Sequence, residues 1–565
     1  MNSTGNAAGR LPLRHADAGT RPDAEADVVV VGSGAAGFAA AITAAGRGLS
    51  AIVLEKGDRV GGTTRKSGAW SWIPNNRFLR EAGTVDDRQD ALRYMARLAR
   101  PELYDADAGA GCFGLPARDF ALLEAFYDHA AEAVEALEAH GALRLFHADF
   151  IPDYYAQLPE NKTPSGRVVM PLADNGEPGE GEEMITQLAA GADRLGVDVR
   201  CGHRVAQVLL NRADEVVGVV AEADGGPVTV RARRAVVFAS GGFGQSPELR
   251  RSYLAGPIFG SCTALTNTGD FLPIASALGA PLDNMSYPWL GPCPLERGLR
   301  NRPDSWLMFE PAGDSMFMVD RYGRRFVDEK IQYNEITQTM WRWDPSRAEY
   351  PSLFPVMIWD QASQDRWQGD KWGNPIAPAG QDDGHVVHGD TLEELAEAVR
   401  ERLHRLRDRT GGYTLDDGFE RRLAETFHRF NEHAAAHTDP DFGRGGAPIS
   451  LFFQSALGPP RDGNEDNPVL HPLAERGPYH ATILAPGTLD TKGGPRTNAD
   501  AQVLDRTGAP IPGLYGAGNC VASVSGKAYF AGGATIGPAL TFGYLAALAA
   551  AREPVRELAD TDVLV

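Results

Sequence analysis

Cysteine is scarce in this chain. Its 565 residues include five, at Cys112, Cys201, Cys262, Cys293 and Cys520. None forms a C-x-x-C or C-x-x-C-H pair, so the local ligand spacings of haem, iron–sulfur and zinc sites are excluded. Sparse, unpaired thiols fit a reducing, cytoplasmic compartment. Positive charge is also in short supply. Lys and Arg number 55 against 75 Asp and Glu, a formal net charge of −20. That balance argues against nucleic acid and anionic membrane as partners. Long apolar runs are missing, and no stretch reaches the roughly 20 residues of a membrane span. The stretch from Ala539 to Ala551 is Ala-rich and reads as a buried helix. Residues 1–25 are rich in Ala, Gly, Asp and Arg and lack an apolar segment. They are expected to be a disordered leader, neither signal peptide nor anchor.

Glycine, by contrast, is abundant, and its placement is informative. The apolar run Val28 to Val31 meets Gly32-Ser33-Gly34-Ala35-Ala36-Gly37. This is a buried strand entering a G-x-G-x-x-G turn that opens a helix. The first glycine permits the tight turn, the second lets a pyrophosphate approach, and the third brings the helix close to the sheet. The helix N-terminus offers unpaired N–H groups to phosphate. A second strand, Ser50 to Leu54, ends at Glu55. Its spacing of about twenty residues suits the acid that holds a ribose hydroxyl. The loop after it, Lys56 to Gly68, carries Gly61-Gly62 and Thr63-Thr64. Glycine and hydroxyl pairs here suit a chain that continues along an extended dinucleotide.

A chain this long needs two or more domains. Residues 26–60 read strand, helix, strand. Helices are predicted over Arg77 to Arg100, Asp119 to His140 and Glu182 to Leu195. Short strands are predicted over Val197 to Arg200, Val205 to Leu210, Val216 to Glu222 and Val228 to Arg231. A further buried strand ends at Ala239-Ser240-Gly241, a small-residue tip of the kind that meets a ligand. Residues 276–475 are rich in Trp, Tyr and Pro and read as an insertion, with Trp289, Trp306, Trp341 and Trp343 as candidate wall or core residues. From Gly477 the glycine-rich pattern returns, with a strand ending at Gly516-Ala517-Gly518-Asn519 and a last helix opening near Thr535. The expected fold class is α/β. A Rossmann-like dinucleotide domain is split into residues 26–275 and 476–565, around an inserted α+β substrate (cap) domain at 276–475.

Three segments carry a resemblance: Ser67-Gly68-Ala69-Trp70-Ser71-Trp72-Ile73-Pro74, Pro486-Gly487-Thr488-Leu489-Asp490-Thr491-Lys492-Gly493-Gly494, and Tyr529-Phe530-Ala531-Gly532-Gly533-Ala534-Thr535-Ile536-Gly537-Pro538. They resemble the 3-ketosteroid Δ1-dehydrogenase branch of the fumarate reductase/succinate dehydrogenase flavoprotein family. The resemblance implies FAD, and the absence of His from Thr64-Arg65-Lys66 implies that it is bound non-covalently. It would be held by Gly32, Gly34, Ala35, Ala36 and Gly37, then by Glu55 and Lys56. Gly62, Thr63, Thr64, Ser67 and Gly68 follow in the loop, and Val205, Ala239, Gly241 and Asp270 from the middle of the chain. Gly518, Asn519, Ile536, Pro538 and Leu540 complete the set.

The chemistry implied is desaturation beside a ketone. A base removes the α proton, and a hydride leaves the β carbon for flavin N5. The resemblance assigns the Tyr529 hydroxyl and the Gly533 N–H as donors to the carbonyl oxygen, and Tyr333 as base. Tyr154 or Tyr155 would support that base. Phe530, Ala531 and Asp328 stand where the family has Pro, Gly and Asn, so a bulkier loop is expected beside the carbonyl site. The substrate is a small-molecule ketone, a 3-ketosteroid first and a cyclohexanone as the alternative. A quinone or another external carrier would take the electrons. A fumarate-reductase-like activity ranks lower, because Val524 to Gly533 contains Lys527 but neither His nor Arg. A flavin-binding scaffold without activity ranks lowest.

Overall fold

A computed structural model describes residues 12–17, 19–300, 307–309, 311–369, 373–378 and 384–558. Two sheets organise it. The first has nine strands. Ala24–Val31 lies at its centre, parallel to Ala51–Leu54 on one side and to Gly226–Phe238 on the other. The registers pair Val31 with both Leu54 and Phe238, and Phe238 also with Gly516 of Pro510–Gly516. Four parallel strands therefore end level, and ligands bind at such carboxyl edges. Val28 to Val31 are buried, as the apolar run requires of a strand covered on both faces.

Small residues set the layer above this sheet. The helix Ala35–Gly46 is almost wholly buried and Ala-rich. A Cβ on Gly37 would lie 1.9 Å from the Gly32 carbonyl oxygen, so only glycine lets the helix start so near the strand. The last helix, Ile536–Arg552, packs on Ala35–Gly46 just as tightly, since a Cβ on Gly543 would lie 2.3 Å from the Ala36 carbonyl oxygen.

The second sheet is built on one long strand, Tyr479–Thr491. It pairs with Val356–Asp360, Val386–Gly389, Pro288–Pro294 and Gly260–Ser261. Met316–Val319 adds to Val356–Asp360. The boundary expected at 476 therefore falls before a strand of the second sheet. The chain rejoins the first sheet only at Gln502–Leu504 and Pro510–Gly516. The apolar alternation of Tyr479–Thr491 does not reveal which sheet it joins, because both offer buried faces.

Two other expectations change. Residues 13–17 and 19–25 are not a disordered leader: Leu13–His15 forms a parallel edge strand on Arg204–Leu210, and Ala24 begins the central strand. Backbone pairing to an open sheet edge orders this segment although its composition is polar. Residues 1–11 lie outside the described set. The helix expected over Arg77 to Arg100 is two, Arg77–Glu81 and Arg88–Ala99. Gly83 takes a positive φ, and the Asp87 carboxylate caps the second helix by accepting from the N–H groups of Gln89 and Asp90 at 2.9 and 3.1 Å. No helix among the described residues is long and apolar enough to cross a membrane.

Candidate active site

A cavity of about 460 Å³ opens at the carboxyl edge of the first sheet and runs beneath the second. Its walls include Val31, Leu54 and Phe238, the level ends of three parallel strands. Of the residues expected to hold the cofactor, Gly32, Gly34, Ala35, Ala36, Glu55 and Lys56 line it. So do Gly62, Thr63, Thr64, Ser67 and Gly68 from the following loop. Val205, Ala239, Gly241, Asp270, Gly518, Asn519 and Ile536 also line it. Three others do not line it. Gly37 lies in the first turn of the helix and acts through helix–strand packing. Leu540 is fully buried in the core, and Pro538 borders a separate small cleft with Val521 and Phe542. In the last helix only one face meets the cavity, and Thr535, Ile536 and Ala539 present it.

The glycine end is held by hydrogen bonds between loops distant in sequence. The Glu55 carboxylate accepts from the Ser33 N–H and hydroxyl and from the Gly57 N–H. The Thr64 hydroxyl accepts from the Ala35 N–H at 3.2 Å, which ties the Thr pair to the first turn of the helix. Lys56 Nζ donates to Asp270 Oδ2 at 2.9 Å, and Arg204 reaches the same carboxylate. Burial pushes the Asp270 carboxyl up. The Lys56 ammonium and the Arg204 guanidinium outweigh it and hold the carboxyl below the usual carboxylate range.

At the other end three tyrosines meet. Tyr154, Tyr333 and Tyr529 are all buried and all line the cavity. The Tyr154 and Tyr333 hydroxyl oxygens are 2.6 Å apart. The Tyr529 ring stands edge-on to both, with centroids 5.2 Å from Tyr154 and 5.8 Å from Tyr333. Each tyrosine comes from a different segment. Tyr333 is the first residue of the helix Tyr333–Met340, whose N-cap Gln332 accepts from the Asn334 N–H at 3.1 Å. Tyr154 is fixed by its own N–H, which donates to the Phe530 carbonyl at 3.1 Å, next to Tyr529. Burial pushes all three hydroxyls above the ordinary phenol range, and those of Tyr154 and Tyr333 well above it.

Of the two adjacent tyrosines, Tyr154 makes the contact. Tyr155 does not line the cavity, and its hydroxyl accepts from Gln332 Nε2 at 3.0 Å. Gly533 lines the cavity beside Tyr529, with φ +90°, and a Cβ there would lie 2.5 Å from the Trp70 carbonyl oxygen. The expected bulky loop does not intrude. Phe530 points into the core, with its ring 5.7 Å from Trp72, and its carbonyl accepts from the Tyr94 hydroxyl at 2.7 Å. Asp328 is buried away from the cavity, where burial pushes its carboxyl up to about 6.

Several lining residues were not among those expected. Trp70, Met170, Phe309 and Phe453 line the cavity, with the Phe309 ring 5.0 Å from that of Tyr333, whereas Trp289, one of the four candidate tryptophans, lines it as expected and packs on Tyr529 with centroids 4.6 Å apart. Trp341 and Trp343 do not line it, and Trp306 lies outside the described residues. Lys66, His203 and Asp490 also contribute. Asp490 had a signal, since it lies within one of the resembling motifs. So does Trp70, but Phe309 and Phe453 had none, because a ring lining a cavity and a ring filling a core share the same local pattern.

These residues fit an FAD. A helix N-terminus, a glycine turn that leaves no room for side chains, an acid after the second strand and a run of hydroxyls line one elongated space. Comparison with known proteins agrees. Residues 27–536 match the family described as FAD binding domain. The chain is 31% identical to the 3-oxosteroid 1-dehydrogenase of Mycobacterium tuberculosis, over 93% of this chain and 98% of that one. It is also 31% identical to the 4-oxocyclohexanecarboxylate 2-dehydrogenase of Sinomonas cyclohexanicum, over 93% and 92%. The crystal structure of 3-ketosteroid Δ1-dehydrogenase from Sterolibacterium denitrificans, in complex with 1,4-androstadiene-3,17-dione, superposes with a TM-score of 0.78 at 27% identity, covering 93% of this chain and 99% of that one. This chain therefore belongs to the FAD binding domain family of flavin-dependent oxidoreductases, in the branch that holds the 3-oxosteroid 1-dehydrogenases.

Proposed function

We propose that this enzyme introduces a double bond beside the carbonyl of a cyclic ketone, with a 3-ketosteroid as substrate. The observation that carries the reading is the buried Tyr154–Tyr333–Tyr529 cluster in the same cavity as the glycine turn. The Tyr529 hydroxyl and the Gly533 N–H hold the carbonyl oxygen. As the α carbon loses its proton, negative charge grows on that oxygen, and one such donor is worth roughly 3–4 kcal/mol. Tyr333 takes the α proton. An isolated phenol is a weak base at neutral pH, and burial weakens its anion further. The Tyr154 hydroxyl, 2.6 Å away, offsets this by donating to the Tyr333 oxygen as charge develops there. FAD, when bound, accepts the hydride equivalent from the β carbon. The apolar wall of Trp70, Met170, Phe309 and Phe453 suits the body of a steroid and excludes water from the developing enolate. Electrons then leave to an external carrier such as a quinone, in the cytoplasm.

A carboxylated cyclohexanone is the second reading. Lys66 favours it, because this residue lines the cavity and its Nζ, which donates to the Cys262 carbonyl at 2.9 Å, is a cation of the kind that suits a carboxylate. Anaerobic bleaching of the flavin separates the two. Rapid bleaching by a 3-ketosteroid, lost in Tyr529→Phe, supports the first reading. Bleaching by 4-oxocyclohexanecarboxylate alone replaces the substrate, and bleaching by neither sinks the ketone desaturase.

A further inference from the structure

Lys492 is a fully buried ammonium to which the chemistry above gives no role. It follows the long strand Tyr479–Thr491 and has no exposed surface. A charge so placed is costly unless its donors are used. Lys492 Nζ donates to the Lys527 carbonyl at 3.0 Å and the Ala528 carbonyl at 2.7 Å, the two residues immediately before Tyr529. It also sits 4.0 Å from the centroid of the Trp289 ring, in cation–π geometry. Trp289 in turn packs on the Tyr529 ring at 4.6 Å, and its Nε1 donates to Asn519 Oδ1 at 3.1 Å. One ammonium therefore grips both the backbone that delivers Tyr529 and the indole against which Tyr529 rests.

We propose that Lys492 is a positioning residue for Tyr529: its ammonium clamps the Lys527–Ala528 carbonyls and the Trp289 face, and so aims the Tyr529 hydroxyl at the ketone oxygen. The inference rests on the reading of Tyr529 as a carbonyl donor. The geometry supports a rigid clamp, because three contacts from one Nζ reach both the backbone just before Tyr529 and the indole that packs on its ring. Burial pushes the ammonium down to about 7, with Glu335 opposing and Arg100 adding to the shift. Near neutral pH the group therefore exchanges between ammonium and amine: both forms donate to the two carbonyls, and the cation–π contact with Trp289 belongs to the ammonium.

The test uses the FAD-loaded full chain with a 3-ketosteroid. Lys492→Met keeps length and apolar fit but removes the charge and the donors. Its kcat is expected to fall at least tenfold, with KM within about twofold and one flavin per chain retained. Lys492→Arg restores a cation and is expected to recover several-fold over Lys492→Met. A Lys492→Met enzyme with wild-type kcat, or a loss confined to KM or to flavin content, overturns the clamp. If Lys492→Met does not fold, Trp289→Leu decides. It leaves both carbonyl bonds intact, and a kcat-selective loss supports the clamp whereas unchanged kcat overturns it. A crystal structure of either variant provides a readout independent of turnover. Tyr529 displaced from its present position supports the clamp, and Tyr529 unmoved overturns it. Should the wild-type enzyme act on no ketone, the functional reading fails, while that structural comparison still decides whether Lys492 positions Tyr529.

Discussion

The two ends of the cavity are built by different means. The cofactor end is made largely of backbone: a glycine turn, two helix N-termini and a loop of glycine and threonine, most of it between Val31 and Gly68. The ketone end is made of side chains. Tyr154, Tyr333 and Tyr529 come from three segments separated by 179 residues or more. Backbone recognition needs residues that are absent or small, and neighbours in sequence can supply it. Side-chain chemistry needs hydroxyls within hydrogen-bond reach, which only distant segments brought together by the fold provide.

The comparison can be broken first at the backbone end. Gly37→Ala puts a methyl 1.9 Å from the Gly32 oxygen, so the strand–helix turn must open. The expected outcome is purified protein with little or no bound flavin, read from its visible absorbance. Next comes the side-chain end. Tyr529→Phe is expected to keep its flavin but lose about 10²–10³ in kcat, the effect of removing one preorganised donor. Stopped-flow bleaching with ketone measures it.

The adjacent tyrosines sharpen the contrast further. Tyr154→Phe removes the hydroxyl 2.6 Å from Tyr333 and is expected to slow flavin reduction about 10²-fold, the low end of general acid–base contributions. Tyr155→Phe, whose hydroxyl meets Gln332, is expected to change the rate less than twofold. Equal effects would dissolve the distinction between the two positions.

The smallest effect belongs to Asp270. Its folded carboxyl is depressed, so its ion pairs with Lys56 and Arg204 contribute above the unfolded carboxylate range and are lost as pH falls through the folded value. Asp270→Asn is expected to cost roughly 1 kcal/mol at neutral pH. Thermal unfolding of the two proteins should begin to converge as pH falls below about 3.8, the unperturbed carboxylate value, and meet below the lower folded value, where wild type also loses the charge. A constant difference down to pH 2 would remove the ion pairs as the cause.

Much of the cofactor end is legible in the amino-acid sequence. Gly32, Gly34, Glu55, Thr63 and Thr64 carry the requirements of a turn, a phosphate approach and a ribose contact in their own spacing. Leu540 is not separable from Ile536 by motif alone, because helix rotation decides which of them faces the cavity. The choice between Tyr154 and Tyr155 depends on a backbone bond to Phe530, 376 residues downstream of Tyr154. Phe530 itself looks like an obstruction in sequence and is core packing in the fold. The polar residues 13–15 carry no strand pattern, and an open sheet edge supplies it.

By itself, then, the sequence determined the dinucleotide turn, which depends on short-range spacing and on what glycine alone permits, while the flavin class and the role of Tyr529 came from the resemblance its motifs carry. The tertiary structure decided which tyrosine partners Tyr333, which aromatic residues wall the ketone end, and that Lys492 grips Trp289 and the Lys527 and Ala528 carbonyls just before Tyr529. Those are contacts between segments far apart along the chain. Their energy comes from burial and from hydrogen bonds completed only when the two sheets close over one cavity, and no local pattern records them.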